Sequence, residues 1–431
     1  MSWFEFNQNY LSPVIFQIKY NFWNGKQINL GLIRRDLLKK IDTRIGNKLI
    51  KVLTGQRRSG KSYFMRQLIF HLHAKGIPPQ NILYINKEFS AFDFIKNEHD
   101  LDNCIRLYIS EMKPQGKIFL FIDEVHLIEG WERVINSYSQ NYTSDFELFI
   151  SGSNASLLSG ELATLLSGRY ITFEMYPYSY TEFCEVTGNR PGKTSFMSFL
   201  KTGALPEIFH LTDMETRMHY VQDLKNTIIL KDIVLRHKIK DAGLLESLFT
   251  YLIQNISNPV SVQNLVNYLK KIKVTANFNT ISSYIEYLKQ TYIIHEVPRF
   301  DLNGKRILGG VKKYYLNDLA FRNLLFPGFE AGLGYLLENT VFLELKRNGY
   351  EVFTGTDRNK KVDFIVKKGG ITRYIQVCYL MTDENVVNRE FGNLDRIKDN
   401  YEKIVVSLDD ISLGERNGIR HYPAWEPKIF Q

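Results

Sequence analysis

The chain has little of what would place a protein outside a reducing compartment or in a bilayer. Its 3 cysteines, Cys104, Cys184 and Cys378, are far apart and form no C-x-x-C pair. That argues against a zinc site and against a disulfide framework. No apolar run approaches the roughly 20 residues needed to span a membrane. The first residues include Glu5 and carry no basic cluster ahead of an apolar core, so no secretory signal is read there. A soluble, cytoplasmic protein with no membrane partner is expected. What is present suits packed cores: 44% of the 431 residues are hydrophobic, 13% aromatic and 23% charged. The length calls for two or three domains.

Gly55-Gln56-Arg57-Arg58-Ser59-Gly60-Lys61-Ser62 reads G-x-x-x-x-G-K-S. Each part of that spacing has a use. Gly55 and Gly60 let the backbone turn with positive φ. The freed amides and the start of the following helix present partial positive charge to phosphates, Lys61 adds a full charge, and the Ser62 hydroxyl suits Mg²⁺. The apolar stretch 48–54 reads as a strand before the loop. Phe64, Leu68 and Leu72 recur at helical spacing after it. Strand, loop and helix is the order that phosphate binding requires.

A second motif follows at Ile118-Phe119-Leu120-Phe121-Ile122-Asp123-Glu124. Its apolar run reads as a strand buried on both faces, with two carboxylates at the end where open α/β sheets bind ligands. Asp123 is the candidate to hold Mg²⁺ through water, and Glu124 the candidate to orient or deprotonate an attacking water. A third strand, 146–150, ends in Ser151-Gly152-Ser153-Asn154, where Ser153 and Asn154 are candidates to sense a γ-phosphate or the lytic water. Arg169 is a candidate arginine finger, acting on its own site or on a neighbouring subunit's, with a surface ion pair as the alternative. No Asn-Lys-x-Asp run that would read guanine occurs, which tilts the nucleotide towards ATP.

The net charge of +9 is uneven. Residues 222–330 hold 15 basic and 9 acidic residues, a net of +6, whereas 331–431 hold 15 of each. Such a zone attracts a phosphate backbone, or is a solvated lysine-rich face. The chain divides into an extension at 1–31, an α/β core at 32–190 with a parallel sheet, a helical lid at 191–240, a further helical segment at 241–330 and an α/β unit at 331–431. Three helices and a basic hairpin turning at Asn303-Gly304-Lys305 give 241–330 a winged-helix layout. Its third helix offers Asn277, Asn279, Thr280, Ser282, Ser283 and Tyr284 to a groove, with Lys270, Lys271 and Lys273 beside the phosphates. DNA through 222–330 and a protein are the alternative partners; an oligomer is compatible with either.

From 331 onward, helix, three strands, helix and strand is the layout of restriction-endonuclease-like folds. Such nucleases use an Asp, a Glu-x-Lys on the next strand and a Glu from the first helix. Glu338 and Asp363 stand in place here, but Gln376 and Cys378 occupy the Glu-x-Lys positions. A neutral amide is a poor Mg²⁺ ligand and a thiol cannot replace an ammonium, so no efficient DNA cleavage is expected. Over roughly residues 32–425 the chain resembles a bacterial and archaeal family of AAA-type ATPases, whose P-loop domain, carrying the G-x-R-R-x-G-K-S form, is joined to a C-terminal nuclease-like domain. The resemblance implies a five-stranded sheet of the AAA or signal-transduction-ATPase kind, with ATP and Mg²⁺ as cofactors. Two functions follow: an ATP-driven switch or motor, or a nucleic-acid-binding regulator with a nucleotide-sensing site. A Mg²⁺-dependent nuclease is the third and least favoured.

Overall fold

A computed structural model describes residues 28–158, 168–326, 332–357 and 360–430, together with 21, 23 and 166. Most of the 1–31 extension lies outside the described residues. The chain forms two compact units, 1–175 and 176–431.

In the first unit, α1 (Arg35–Asp42) leads into β1 (Ile50–Thr54), and α2 (Lys61–Ala74) follows the glycine loop. Then come β2 (Ile82–Asn86), α3 (Glu98–Met112), β3 (Ile118–Asp123), α4 (Trp131–Ser139), β4 (Phe146–Ser151) and β5 (Tyr170–Glu174). The sheet order is β2-β3-β4-β1-β5 and every pairing is parallel. The expected five-stranded parallel sheet is therefore present. Strands β1 to β4 are buried throughout because helices cover both faces. Alternate residues feed two cores. Ile50, Val52, Leu120 and Ile150 pack with Leu101, Ile105 and Trp131 on one face. Leu53, Phe119, Phe121 and Phe149 pack with Phe64 and Leu68 on the other.

One feature of this order positions the site. Strand β4 lies between β1 and β3, so the residue ending β4 stands between the glycine loop and the acidic strand end. That residue is Ser151.

The second unit begins with α5 (Tyr180–Thr187), α6 (Lys193–Thr202) and α7 (Met214–Thr227), which continues as a π-helical stretch over Ile228–Leu235. Next are α8 (Ala242–Gln254), β6 (Pro259–Val260), α9 (Val262–Lys271), α10 (Phe278–Gln290), β7 (Ile294–Asp301), β8 (Arg306–Leu316) and α11 (Ala320–Leu325). After α8 the chain turns at Ser257 and Asn258 into the short edge strand β6, which pairs antiparallel with β8. Proline is tolerated there because an edge strand need not donate its N–H. The β7–β8 register shifts between Val297 and Arg299, where Pro298 has no amide to offer.

The chain ends with α12 (Leu333–Arg347), β9 (Glu351–Asp357), β10 (Lys360–Lys368), β11 (Ile371–Cys378), α13 (Glu384–Asp395), β12 (Glu402–Ser407), β13 (Glu415–Arg416) and β14 (Ile419–Pro423). Nine strands form one sheet in the order β13-β14-β12-β11-β10-β9-β7-β8-β6. The parallel pairing of β7 with β9, through Arg299↔Thr354 to Asp301↔Thr356, carries the sheet past residue 330 without a break.

Candidate nucleotide site

Residues 55–60 form a tight loop between β1 and α2. Gly55, Arg58 and Gly60 all have positive φ, at 137°, 67° and 98°. Gly55 has no room for a side chain, since a Cβ there would lie 2.2 Å from the Met175 carbonyl oxygen. Gly60 caps α2 in the left-handed conformation and no side chain caps that helix. The first amides of α2 therefore have no partner within the helix. Among the described residues, the buried hydroxyls of Thr54 and Ser59 also have none. Arg57 lies 3.5 Å from Glu88, while Arg58 is exposed.

Lys61 is buried and folds back on the loop, where its Nζ donates to the carbonyls of Gly55 (3.0 Å) and Gln56 (3.1 Å). Burial holds its pKa down, against the pull of Glu124 and Asp123. The lysine rests on dipoles that an anionic ligand can replace.

Asp123 is fully buried at the end of β3. It accepts hydrogen bonds from Ser151 Oγ, from Tyr84 OH at 3.2 Å and from the Ser62 hydroxyl. Burial and the adjacent Glu124 push its pKa up; the Ser151 and Ser62 hydroxyls and Lys61 pull it back. Glu124 sits in the left-handed region, φ 52° and ψ 48°. Its backbone N–H donates to Ser151 Oγ (3.1 Å). Burial raises the Glu124 pKa, but Lys61, His126, Arg57 and the Ser153 amide outweigh it and hold the carboxylate below its usual range.

Mg²⁺ fits this donor set. Ser62 and Asp123 are hydrogen-bonded, and Asp123 is a buried carboxylate braced mainly by hydroxyls, which orient it without neutralising it. Mg²⁺ usually keeps several waters and takes few protein oxygens, so one hydroxyl and one carboxylate, the latter reached through water, suit it when phosphates complete its shell. Among the described residues no group of three or more His, Cys, Asp or Glu side chains could hold a metal alone.

The fold thus gathers Gly55 to Ser62, Asp123, Glu124 and Ser153 at one end of the sheet. Ser153 donates to Glu124 Oε2 through its amide and its hydroxyl, each at 3.3 Å. Asn154 is buried at the head of the short turn Ala155–Leu158. Arg169 is elsewhere. It precedes β5, level with the start of β1, and its carbonyl accepts from the Ile50 amide. Six residue steps, about 20 Å at 3.3 Å each, separate that level from Gly55. Its exposed guanidinium donates to Asn136 Oδ1 at 2.8 Å. The strand direction rules out a finger acting on its own loop. Ser151, Tyr84 and His126 are the site residues that sequence reasoning missed.

In the second unit, Glu338 and Asp363 do come together, but around a cation from the chain. Lys313 Nζ lies 2.7 Å from Glu338 Oε1 and 3.7 Å from Asp363 Oδ1. Tyr315 OH donates to Glu338 at 2.6 Å and the Val377 amide to Asp363 at 2.9 Å. Gln376 accepts from the Asp363 amide and donates to Glu390. Burial pushes Glu338 up to about 7 although Lys313 opposes it.

Comparison with known proteins identifies the domain of the first unit. The AAA domain family matches residues 47–184, and a domain of unknown function matches 193–331. An uncharacterised protein of Haemophilus influenzae is 33% identical over 376 residues, 86% of this chain and 92% of that one. An uncharacterised protein of Methanocaldococcus jannaschii is 30% identical over 399 residues, 89% of this chain and 84% of that one. The chain belongs to their family. Its first unit carries a P-loop ATPase domain of the AAA type. A Walker-type ATPase of Pyrococcus abyssi aligns over 68% of this chain and 95% of its own, at 12% identity and a TM-score of 0.42. No helix among the described residues is long and apolar enough to cross a membrane.

Proposed function

We propose that the first unit binds ATP with Mg²⁺ and hydrolyses it slowly, as a switch or motor to which the second unit responds. The observation that carries this reading is the convergence of an uncapped helix start, a lysine resting on replaceable carbonyls and a buried Asp123 at one sheet end. The amides of 55–62 and Lys61 hold the phosphates. Ser62 and Asp123 hold Mg²⁺, which supplies charge neutralisation at the phosphoryl oxygens. Glu124 accepts the proton of the attacking water, and Ser153 and Asn154 read the γ-phosphate. Arg169 acts, if it acts, on the site of another copy. Lys61→Ala should abolish nucleotide binding in an equilibrium titration. Glu124→Gln should bind ATP and release phosphate about 10²-fold or more slowly. Parent protein that binds no ATP ends this reading.

A second reading concerns nucleic acid. We read the succession of α8 to α10 with β6 to β8 as a winged helix. Lys270, Lys271 and Lys273 before α10 and Lys305 and Arg306 at the hairpin tip are all exposed. This favours contact with a DNA backbone, whose affinity should fall steeply with salt in a gel-shift assay. A shift absent at low salt removes it. The C-terminal α/β part is read as a nuclease-like fold without activity, because Lys313 stands between the two carboxylates a metal would need. Mg²⁺-dependent nicking lost in Asp363→Ala would reverse that reading.

A further inference from the structure

The surroundings of Glu124 distinguish its two carboxylate oxygens. After β3 the backbone turns through the left-handed region at Glu124 and enters a single 3₁₀ turn, Val125–Leu127. That turn brings His126 back beside residue 124, with His126 Nδ1 3.3 Å from Glu124 Oε2. The same oxygen takes the amide and the hydroxyl of Ser153, each at 3.3 Å. Oε1 has a different neighbour, the ammonium of Lys61 at 4.0 Å. Oε2 is therefore held by the two Ser153 hydrogen bonds, with the His126 ring in ion-pair range rather than hydrogen-bonded through Nδ1, and Oε1 faces the phosphate loop.

We propose that His126 is a positioning residue: with Ser153 it anchors Oε2 of Glu124, so that Oε1 is the oxygen that acts on water. The inference rests on the ATPase reading of this site. A glutamate in a loose pocket rotates between equivalent placements of its two oxygens, and most of them miss the water. Fixing one oxygen from two sides meets that entropy before the reaction. Ser153 reaches from the end of β4 and His126 from the turn after β3, so the grip opposes sideways movement as well as rotation. Lys61, Arg57 and Asp123 are the other charged groups acting on this carboxylate or beside it. None of them touches Oε2 at the distances that Ser153 and His126 do.

The test uses the full chain. His126→Ala should lower kcat for ATP about tenfold and leave KM within about twofold, because an orienting contact is lost while the phosphate cradle is intact. His126→Asn, whose amide can donate to the same oxygen, should recover most of the loss. In a Glu124→Gln background, His126→Ala should change nothing further. A readout independent of turnover is the melting midpoint of the nucleotide-free protein across Glu124→Ala, His126→Ala and the double variant. The shifts should be non-additive if the two side chains interact. Additive shifts overturn the contact. A raised KM with unchanged kcat, or an asparagine variant as poor as alanine, overturns the positioning role. Non-additive melting with no hydrolysis by the parent protein overturns the ATPase reading and with it the role of Oε1, although the contact itself stands.

Discussion

Asp123 in the first unit and Glu338 in the second are both carboxylates removed from water, and burial pushes both pKa values up. Their partners differ. Asp123 is braced by the hydroxyls of Ser151, Tyr84 and Ser62, while Lys61, the ammonium of that site, rests on loop carbonyls. Glu338 has an ammonium of its own in Lys313 at 2.7 Å, reinforced by Tyr315. Dipoles aim a carboxylate but leave its charge in place, whereas an ammonium cancels it. The second cluster carries its own cation; on the ATPase reading proposed above, the first would take one from outside. Two acidic clusters of similar burial can therefore have opposite uses, decided by which residue type faces them.

The comparison breaks most visibly if the first site fails. Glu124→Gln should lower phosphate release by about 10²-fold or more while nucleotide affinity is retained, as measured by a release assay beside a binding titration. Next in size is Lys313→Met, which leaves buried carboxylates without their counter-charge and should cost the second unit about 3–5 kcal/mol in denaturant unfolding. A smaller loss would mean that the two clusters are less different than their contacts imply. Gly55→Ala should cost the first unit about 3 kcal/mol, since it places a Cβ against the Met175 carbonyl at a positive φ.

Acid dependence sharpens the contrast. Asp318 and Glu338, both in the second unit, are pushed by burial to about 7 from ordinary values of 3.8 and 4.5. A carboxyl whose folded pKa is raised stabilises fully below its unfolded pKa, and that contribution is lost as pH rises through the folded value. The second unit should therefore weaken between about pH 4 and pH 7, and Glu338→Gln should flatten part of that slope in melts followed by hydrogen exchange. In the first unit Asp123 is raised and Glu124 is lowered, so the two carboxylates bias stability against pH with opposite sign. The smallest effect belongs to Arg169→Ala. Stability should change by less than about 0.5 kcal/mol, and ATPase rate should respond only at protein concentrations where copies associate.

Much of the first site was legible because its motifs are local. A strand, a glycine loop and a helix are contiguous, and Asp123 with Glu124 closes a single apolar strand. Ser151, Tyr84 and His126 were not legible. Their contacts with Asp123 and Glu124 depend on β3 lying between β2 and β4 and on a left-handed turn at Glu124, which no spacing announces. Arg169 carries no sign of its distance in the sequence, because only the parallel pairing of β5 with β1 fixes which end it occupies. Lys313 was equally hidden. It precedes Glu338 by 25 residues and meets it only because β8 and α12 pack side by side. The helix, three-strand, helix, strand order expected from 331 onward is present and is followed by β13 and β14, whereas the merging of these strands with β6 to β8 into one sheet arises from long-range pairing.

That nine-stranded sheet sets limits on how the second unit can be cut or bent. Strands β7 and β8 belong to the three-helix segment, yet β7 also pairs with β9 of the part that follows. A fragment ending near residue 330 would strip one side of β7 of its neighbour and leave unpaired amides and carbonyls exposed, an invitation to self-association. Protease should accordingly release residues 176–431 as one resistant piece. Within this unit, continuous main-chain hydrogen bonds run from the hairpin to the far edge at β13, so its strands resist being sheared apart independently.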